Sequence, residues 1–323
     1  MSIWEQPGPL LYLAPMAGIT DSVFRRLCKE HGADVMVTEF VSAEGLLHRN
    51  QRTREMVAFT AAERPLGVQL FGAEPDRLAE AARAVIDWAA PDFIDLNFGC
   101  PVNKVVCKHG GSALLRDCPL LEKVARTVVR AVDPVPVTAK IRLGWDATTI
   151  NAAVTARLLE DAGIQAVAVH GRTKAQGYSG EADWNEIARV AQTVSIPVIG
   201  NGDLRTAEGV KHRLGTTGVR GAMIGRGAMS DPWLFGQAKA LIAGLPPPPP
   251  PTLEERWAHI VRHCEMAVAE SDSERHRMAS LRAQLMAYSH GMPDGRQLRP
   301  RFQQVARVDD VRRLAAEVLS LES

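Results

Sequence analysis

Cys100 stands between Gly99 and Pro101, just past the apolar run Phe93–Leu96 and the amide Asn97. A thiol there is either a small buried hydrophobe or a reactive group on a loop top. Its neighbours favour chemistry. Gln69, Asn97 and Lys140 are polar residues in or at the ends of apolar runs. A buried lysine without a partner is costly, so Lys140 must meet an anion or an acceptor. One solution is a flat heterocycle whose N–H, C=O and ring-nitrogen groups engage all three side chains. The other is a carboxylate of the fold itself, Asp95 or Glu39. Two glycine-rich segments follow later, Gly200-Asn201-Gly202-Asp203 and Gly225-Arg226-Gly227. Glycines permit close backbone approach, free amides can face an anion, and Arg226 adds charge, so these segments predict a phosphate site. No metal is predicted: six and ten residues separate Cys100, Cys107 and Cys118, which fits no common zinc spacing, and Cys28 and Cys264 read as structural.

These residues need a frame that brings them together. Apolar runs occur at 10–14, 35–38, 66–70, 93–96, 135–141, 166–169, 196–199 and 221–224. They are rich in Val, Ile and Leu rather than alternating, as expected of strands buried on both faces. Helical stretches separate most of them, at 75–90, 120–132, 151–162 and 184–193. Eight strand–helix units predict an α/β fold, a closed (β/α)8 TIM barrel, with the second unit around 42–59 the least regular. Active sites of such barrels lie at the C-terminal strand ends, where Gln69, Asn97, Cys100, Lys140 and the two glycine-rich segments fall, and phosphates commonly sit after strands seven and eight. Neither a GxGxxG segment after the first strand nor a P-loop is present.

The barrel pattern stops near Leu245, where Pro246 to Pro251 are consecutive prolines that act as a semi-rigid spacer. Helical patterns follow at 253–269, 275–290 and 309–319. The predicted division is a catalytic barrel over 1–245, a polyproline linker over 246–251 and a small C-terminal α-helical domain over 252–323. Between Arg275 and Arg307 lie seven arginines against the single Asp294. Such a cluster suits bidentate phosphate contacts, or else a solvated face paired with neighbouring acids. In 323 residues the chain is 46% hydrophobic and 23% charged with net charge +1, which excludes a disordered chain and announces no polyanion by global charge. It has no 18-residue apolar run, its first residues do not resemble a secretory signal, and five sparse cysteines fit a reducing compartment. A cytoplasmic protein without a membrane span or an obligate protein partner is therefore expected.

Taken together, seven motifs in register over about residues 10–245 resemble the tRNA-dihydrouridine synthases, in particular their bacterial B-type branch. They are Ala14-Pro15-Met16-Ala17-Gly18-Ile19-Thr20-Asp21, Gln69-Leu70-Phe71-Gly72, Leu96-Asn97-Phe98-Gly99-Cys100-Pro101, Lys140-Ile141-Arg142-Leu143-Gly144-Trp145, His170-Gly171-Arg172-Thr173, Asn201-Gly202-Asp203 and Gly225-Arg226-Gly227. The resemblance implies an FMN-binding barrel, NADPH or NADH as reductant, and a helical domain that grips tRNA. It places Pro15, Met16 and Ala17 along the flavin ring, and Gln69 and Lys140 at its polar edge. His170, Asn201, Gly202, Asp203, Gly225 and Arg226 would hold the ribityl chain and phosphate. Asn97 would lie near both flavin and substrate, and Cys100 would give the proton. The implied reaction saturates the C5–C6 bond of a uridine in the tRNA D-loop, a base that must first be exposed or flipped. Lys104, Lys108 and Arg172 near the mouth, and Arg282, Arg299 and Arg301 in the helical domain, are the expected RNA contacts. The alternative is an FMN-dependent TIM-barrel oxidoreductase acting on a small molecule, which would have no need of the helical domain.

Overall fold

The computed structural model describes residues 3–48, 51–107 and 109–321. Its nine strands are β1 (Leu10–Leu13), β2 (Met36–Val37), β3 (Val41–Ser42), β4 (Leu66–Phe71), β5 (Phe93–Phe98), β6 (Val137–Arg142), β7 (Ala166–His170), β8 (Val198–Asn201) and β9 (Gly221–Ile224). All the strand pairings are parallel, in the order β1-β9-β8-β7-β6-β5-β4-β2. A bridge between Tyr12 and Val35 joins the two ends and closes the ring. The fold is a (β/α)8 barrel followed by C-terminal helices.

The second unit departs from the expected single strand over 35–38. It is split into β2 and β3, both paired to β4, through Met36↔Leu66 and Val41↔Leu70. The gap is bridged by a side chain, since the Thr38 hydroxyl accepts from the Gln69 amide at 3.1 Å. Short helices Ala43–Leu47 and Gln51–Val57 follow in place of one crossover helix. A fully buried ion pair anchors this irregular unit. Arg25 Nε donates to Glu63 at 2.6 Å, and the remaining guanidinium donors reach the Thr20 and Ala58 carbonyls.

Two apolar layers result. One lies between the strands and the surrounding helices; the other fills the barrel, with Tyr12, Phe93, Ala168 and Ile199 inside. Trp4 plugs the bottom, donating to the Tyr12 hydroxyl at 2.7 Å and meeting Phe93 edge-on. The lower half is thus nearly filled, apart from a small pocket beside Trp4 and Tyr12, and polar residues at the upper strand ends line the larger cavity.

After the exposed prolines a capping box starts helix Leu253–Ala269: Thr252 Oγ1 accepts from Glu255 N, and Glu255 accepts from Thr252 N. Helices Glu274–Tyr288, Gly295–Gln304 and Val308–Leu321 complete the C-terminal part. Helix Gly295–Gln304 falls between the expected patterns at 275–290 and 309–319, and it tolerates the N–H lost at its internal Pro300. Ion pairs tie the C-terminal helices to the barrel. Arg277 pairs with Asp21, Arg26 with Glu270, and Arg262 binds Glu30 through both terminal nitrogens at 2.5 and 2.8 Å. Between them runs a buried polar seam. His31 meets His259 at 3.2 Å, and the Tyr288 hydroxyl lies 3.1 Å from His259 and 2.9 Å from His263. Gln284 then donates to the Met229 carbonyl at 2.8 Å. No described helix is long and apolar enough to cross a membrane.

Candidate active site

A cavity of about 460 Å³ opens at the C-terminal ends of the strands. Cys100 and every residue expected to hold the cofactor line it. Parallel register explains the convergence: Gln69 stands beside Asp95, and Asn97 beside Lys140, on neighbouring strands.

The site begins deep in the barrel with Asp95. It accepts from Thr138 Oγ1 at 2.5 Å and from Gln69 Nε2 at 2.6 Å. Gln69 Oε1 in turn accepts from Asn97 Nδ2 at 2.7 Å. Asn97 Oδ1 then accepts from two loop amides, Gly99 N at 3.1 Å and Cys100 N at 2.8 Å. An unbroken chain of hydrogen bonds therefore runs from the barrel floor to the thiol loop, and Asn97 is its hinge. Burial raises the Asp95 pKa above its usual value, against the opposing pull of Thr138, Gln69 and Lys140.

Lys140 is the exception to this satisfaction. Neither carboxylate weighed for it pairs with it: Asp95 is taken by Gln69 and Thr138, and Glu39 accepts from Gly18 N at 2.7 Å. Among the described residues its ammonium has no hydrogen-bonding partner. Burial, then the nearby Arg142, pulls its pKa down to about 8, while Asp95 and Cys100 work the other way. A cation in a cavity wall without a partner fits a ligand edge that carries or gathers negative charge.

Cys100 is 6% exposed. Burial raises its pKa, outweighing the Val102 amide and the cations of Arg142 and Lys140. The thiol is therefore protonated at neutral pH. Its loop is fixed on both sides. Ser112 donates twice to the Cys100 carbonyl, from N at 3.1 Å and Oγ at 2.9 Å. Gly111, at φ +58°, packs so closely that a Cβ there would lie 2.9 Å from the same oxygen. Arg142 holds the loop from below, donating to the Gly99 carbonyl at 3.0 Å and to those of Thr173 and Gly177 at 2.9 Å.

The opposite side of the cavity is electropositive. His170 is kept neutral, chiefly by burial and further by Lys140, Arg142, Arg172 and Arg226 around it. Asn201 Nδ2 binds the Met223 carbonyl at 2.7 Å. Asp203 accepts from Arg172 at 2.7 and 3.1 Å, from Arg226 at 3.0 Å and from Ala182 N. Burial opposes ionisation of Asp203, but these donors hold its carboxyl below the usual range. The four glycines divide. Gly202 and Gly225 line the cavity, Gly225 partly exposed and Gly202 buried at φ +137° against Ala182. Gly200 is glycine because Trp184 covers it, and Gly227 also packs against the Leu204 carbonyl; a Cβ would sit 2.4 and 2.2 Å from these neighbours.

Arg172 is a correction. Expected as an RNA contact at the mouth, it is 2% exposed, and its donors go to Asp203 and to the Ser179 and Gly180 carbonyls. It positions Asp203 and offers no face to RNA. In the helical domain, Arg282 donates to the Val305 carbonyl, Arg299 to Ser289 and His290, and Arg301 pairs with Glu317 at 2.5 Å. Lys108 and the side chain of Lys104 lie outside the described residues. Arg142 and Tyr178 are among the lining residues that escaped the sequence reading as site residues. Arg142 was visible only as part of a motif. Tyr178, 63% exposed, has the Arg226 guanidinium 4.7 Å from its ring centre and His170 at 6.4 Å, but sits in an irregular loop that gives no periodic signal.

The family model described as Dihydrouridine synthase matches residues 12–321. The tRNA-dihydrouridine synthase B of Pseudomonas syringae pv. tomato is 46% identical over 225 residues, 70% of this chain and 66% of that protein, just under two thirds of its length. A probable tRNA-dihydrouridine synthase of Mycobacterium tuberculosis is 40% identical over 317 residues, 95% of this chain and 81% of that one. Among solved structures, that of TcOYE with pHBA is similar in fold, with TM-score 0.53 and 12% identity over 72% of this chain and 89% of that one.

Proposed function

We propose a reaction for this chain, which belongs to the dihydrouridine synthase family: reduction of the C5–C6 double bond of uridines in tRNA, with FMN in the barrel cavity and NADPH or NADH as reductant. The observation that carries the reading is that one cavity joins Lys140, a cation without a hydrogen-bonding partner among the described residues, to a protonated thiol, Cys100, in a chain of that family.

The residues present fit FMN. Pro15, Met16 and Ala17 offer an apolar wall for a ring system, and Lys140 faces its polar edge, where the reduced ring gathers negative charge. Gln69 and Asn97 line the same wall, already braced by Asp95 and the thiol loop. His170, Asn201, Gly202, Asp203, Gly225 and Arg226 form the opposite, electropositive end suited to the ribityl chain and phosphate. Arg226 supplies the charge, and Asp203 fixes its orientation.

Bound there, reduced FMN supplies the hydride that adds to C6 of the uracil. Cys100 Sγ holds the proton that C5 takes up, and the thiolate left behind is reprotonated from solvent. Its raised pKa keeps that proton in place until the adjacent carbon becomes basic. Arg142 and Asn97 set the position of Sγ by fixing the backbone on either side of it. The helical domain and the barrel rim hold the RNA. Arg299 and Arg282 contribute partly exposed guanidinium groups. A phosphate at Arg301 competes with Glu317, so its net contribution is small.

The test is direct. Purified chain should carry a yellow chromophore released as FMN on denaturation, and should convert uridine to dihydrouridine in unmodified tRNA when given NADPH. A colourless protein that binds no added FMN, or a yellow one that oxidises NADPH with enones and leaves tRNA unaltered, would overturn the reading.

A further inference from the structure

The barrel rim carries a second cationic feature that lines no part of the cavity. Trp145 follows β6, and two cations face its ring: the Arg116 guanidinium 4.7 Å and the Lys174 ammonium 4.3 Å from the ring centre. Among the described residues neither side chain has an ion pair or a hydrogen bond. The acids beside them are committed elsewhere: Asp117 accepts from Leu120 N, and Asp146 from Thr148 and Thr149. A guanidinium stacked over a ring keeps its in-plane N–H donors unspent, and the ring limits the positions both cations visit.

Hydrogen bonds to main-chain carbonyls tie this rim to the site. Lys174 N donates to the Gly144 carbonyl at 2.9 Å, and Ala175 N to the Trp145 carbonyl at 2.8 Å, so the two loops move as one. Arg142 fixes the same loop through the Thr173 and Gly177 carbonyls, next to Tyr178 of the cavity wall. Arg116 ends the turn Gly111–Arg116, whose Ser112 is bonded to the Cys100 carbonyl. Both cations therefore stand on segments whose other ends form the mouth. A ligand confined to the cavity touches neither; a strand that feeds one base into the cavity passes the rim.

We infer that Arg116, Trp145 and Lys174 form a phosphate-binding station for the RNA strand flanking the uridine that enters the cavity. The inference rests on the proposed function, because it needs a polynucleotide at the mouth. Two phosphate contacts release about two counterions' worth of salt dependence.

The experiment titrates unmodified tRNA against wild-type holoenzyme and Arg116→Gln/Lys174→Gln over a series of salt concentrations. The expected result is a log–log salt slope shallower by about two and an affinity lower by about tenfold or more near 0.1 M salt. Turnover at saturating tRNA, and the rate at which NADPH reduces the flavin, should be unchanged. Arg116→Lys, which keeps the charge, should retain most of the slope. An unaltered slope in the double variant, with wild type binding tRNA, removes the station and leaves the function standing. A raised NADPH requirement with unaltered tRNA binding removes it too and assigns the cations to the reductant. Wild-type protein that binds no tRNA removes the function and the station together.

Discussion

The barrel mouth and the C-terminal arginine cluster hold comparable numbers of charged and polar groups, yet they use them differently. At the mouth, Asp95, Gln69, Asn97 and the Gly99–Cys100 amides form one connected chain, and Lys140 is left over. In the helical domain the arginines are spent one at a time: Arg277 on Asp21, Arg282 on Val305, Arg299 on Ser289 and His290, Arg301 on Glu317. Only Arg275, Arg296 and Arg307 of that cluster are exposed and lack a side-chain partner among the described residues. A connected network places one reactive group, and its members fail together. Separate pairs dock a domain, and their losses add.

This contrast orders the expected effects. Cys100→Ala removes the proton and should cut turnover about 10²–10⁴-fold with FMN still bound, as measured by single-turnover dihydrouridine formation. Asn97→Leu strands the Gly99 and Cys100 amides and the Gln69 carbonyl. Each stranded group costs about 1–3 kcal/mol, so denaturant midpoint and turnover should fall together. A loss in Asn97→Leu confined to FMN affinity would show that the chain is not connected as described.

The docking seam should respond to acid. Burial lowers the pKa of His259 to about 3 and of His263 to about 4, with neighbouring cations adding to the shift at His259 and Asp21 opposing it at His263. Both are neutral when folded and take up protons more readily when unfolded. Their stabilisation is complete above about pH 6.5 and falls as pH drops toward 4, by up to about 1.4 kcal/mol per pH unit for each group. His263→Phe should flatten the pH dependence of the melting midpoint over that window. An unchanged slope would place the acid sensitivity elsewhere.

The smallest effect separates paired from unpaired arginines. Arg301→Gln frees Glu317 and should change the salt dependence of tRNA binding by less than Arg296→Gln, whose expected change is about one unit if it meets a phosphate. Equal changes would mean that the Arg301–Glu317 pair opens when RNA binds.

Much of the mouth was legible in the sequence because strand ends in a parallel barrel are forced to one rim. Once the apolar runs are placed, Asn97, Lys140, His170 and Asn201 have to converge. The split between β2 and β3 was not legible, since the gap is spanned by a long-range bond from the Gln69 amide to the Thr38 hydroxyl that no local pattern announces. Nor was the fate of Arg172. An arginine after a strand reads as a surface cation, and only the fold shows that Asp203 and the Ser179 and Gly180 carbonyls surround it. Helix Gly295–Gln304 lies outside the helical patterns of the sequence; it carries Pro300 inside and is held by the burial of Leu298 and Phe302. Function at strand ends follows from topology, whereas the partners of long charged side chains depend on which distant segments come to meet them.

The most direct measurement of the central claim is mass spectrometry of tRNA nucleosides from cells that lack dihydrouridine, supplied with the wild-type chain or with Cys100→Ala. The account predicts dihydrouridine with wild type and little or none with the variant, although both proteins accumulate and bind FMN. No dihydrouridine from wild type, or equal amounts from both, would contradict it.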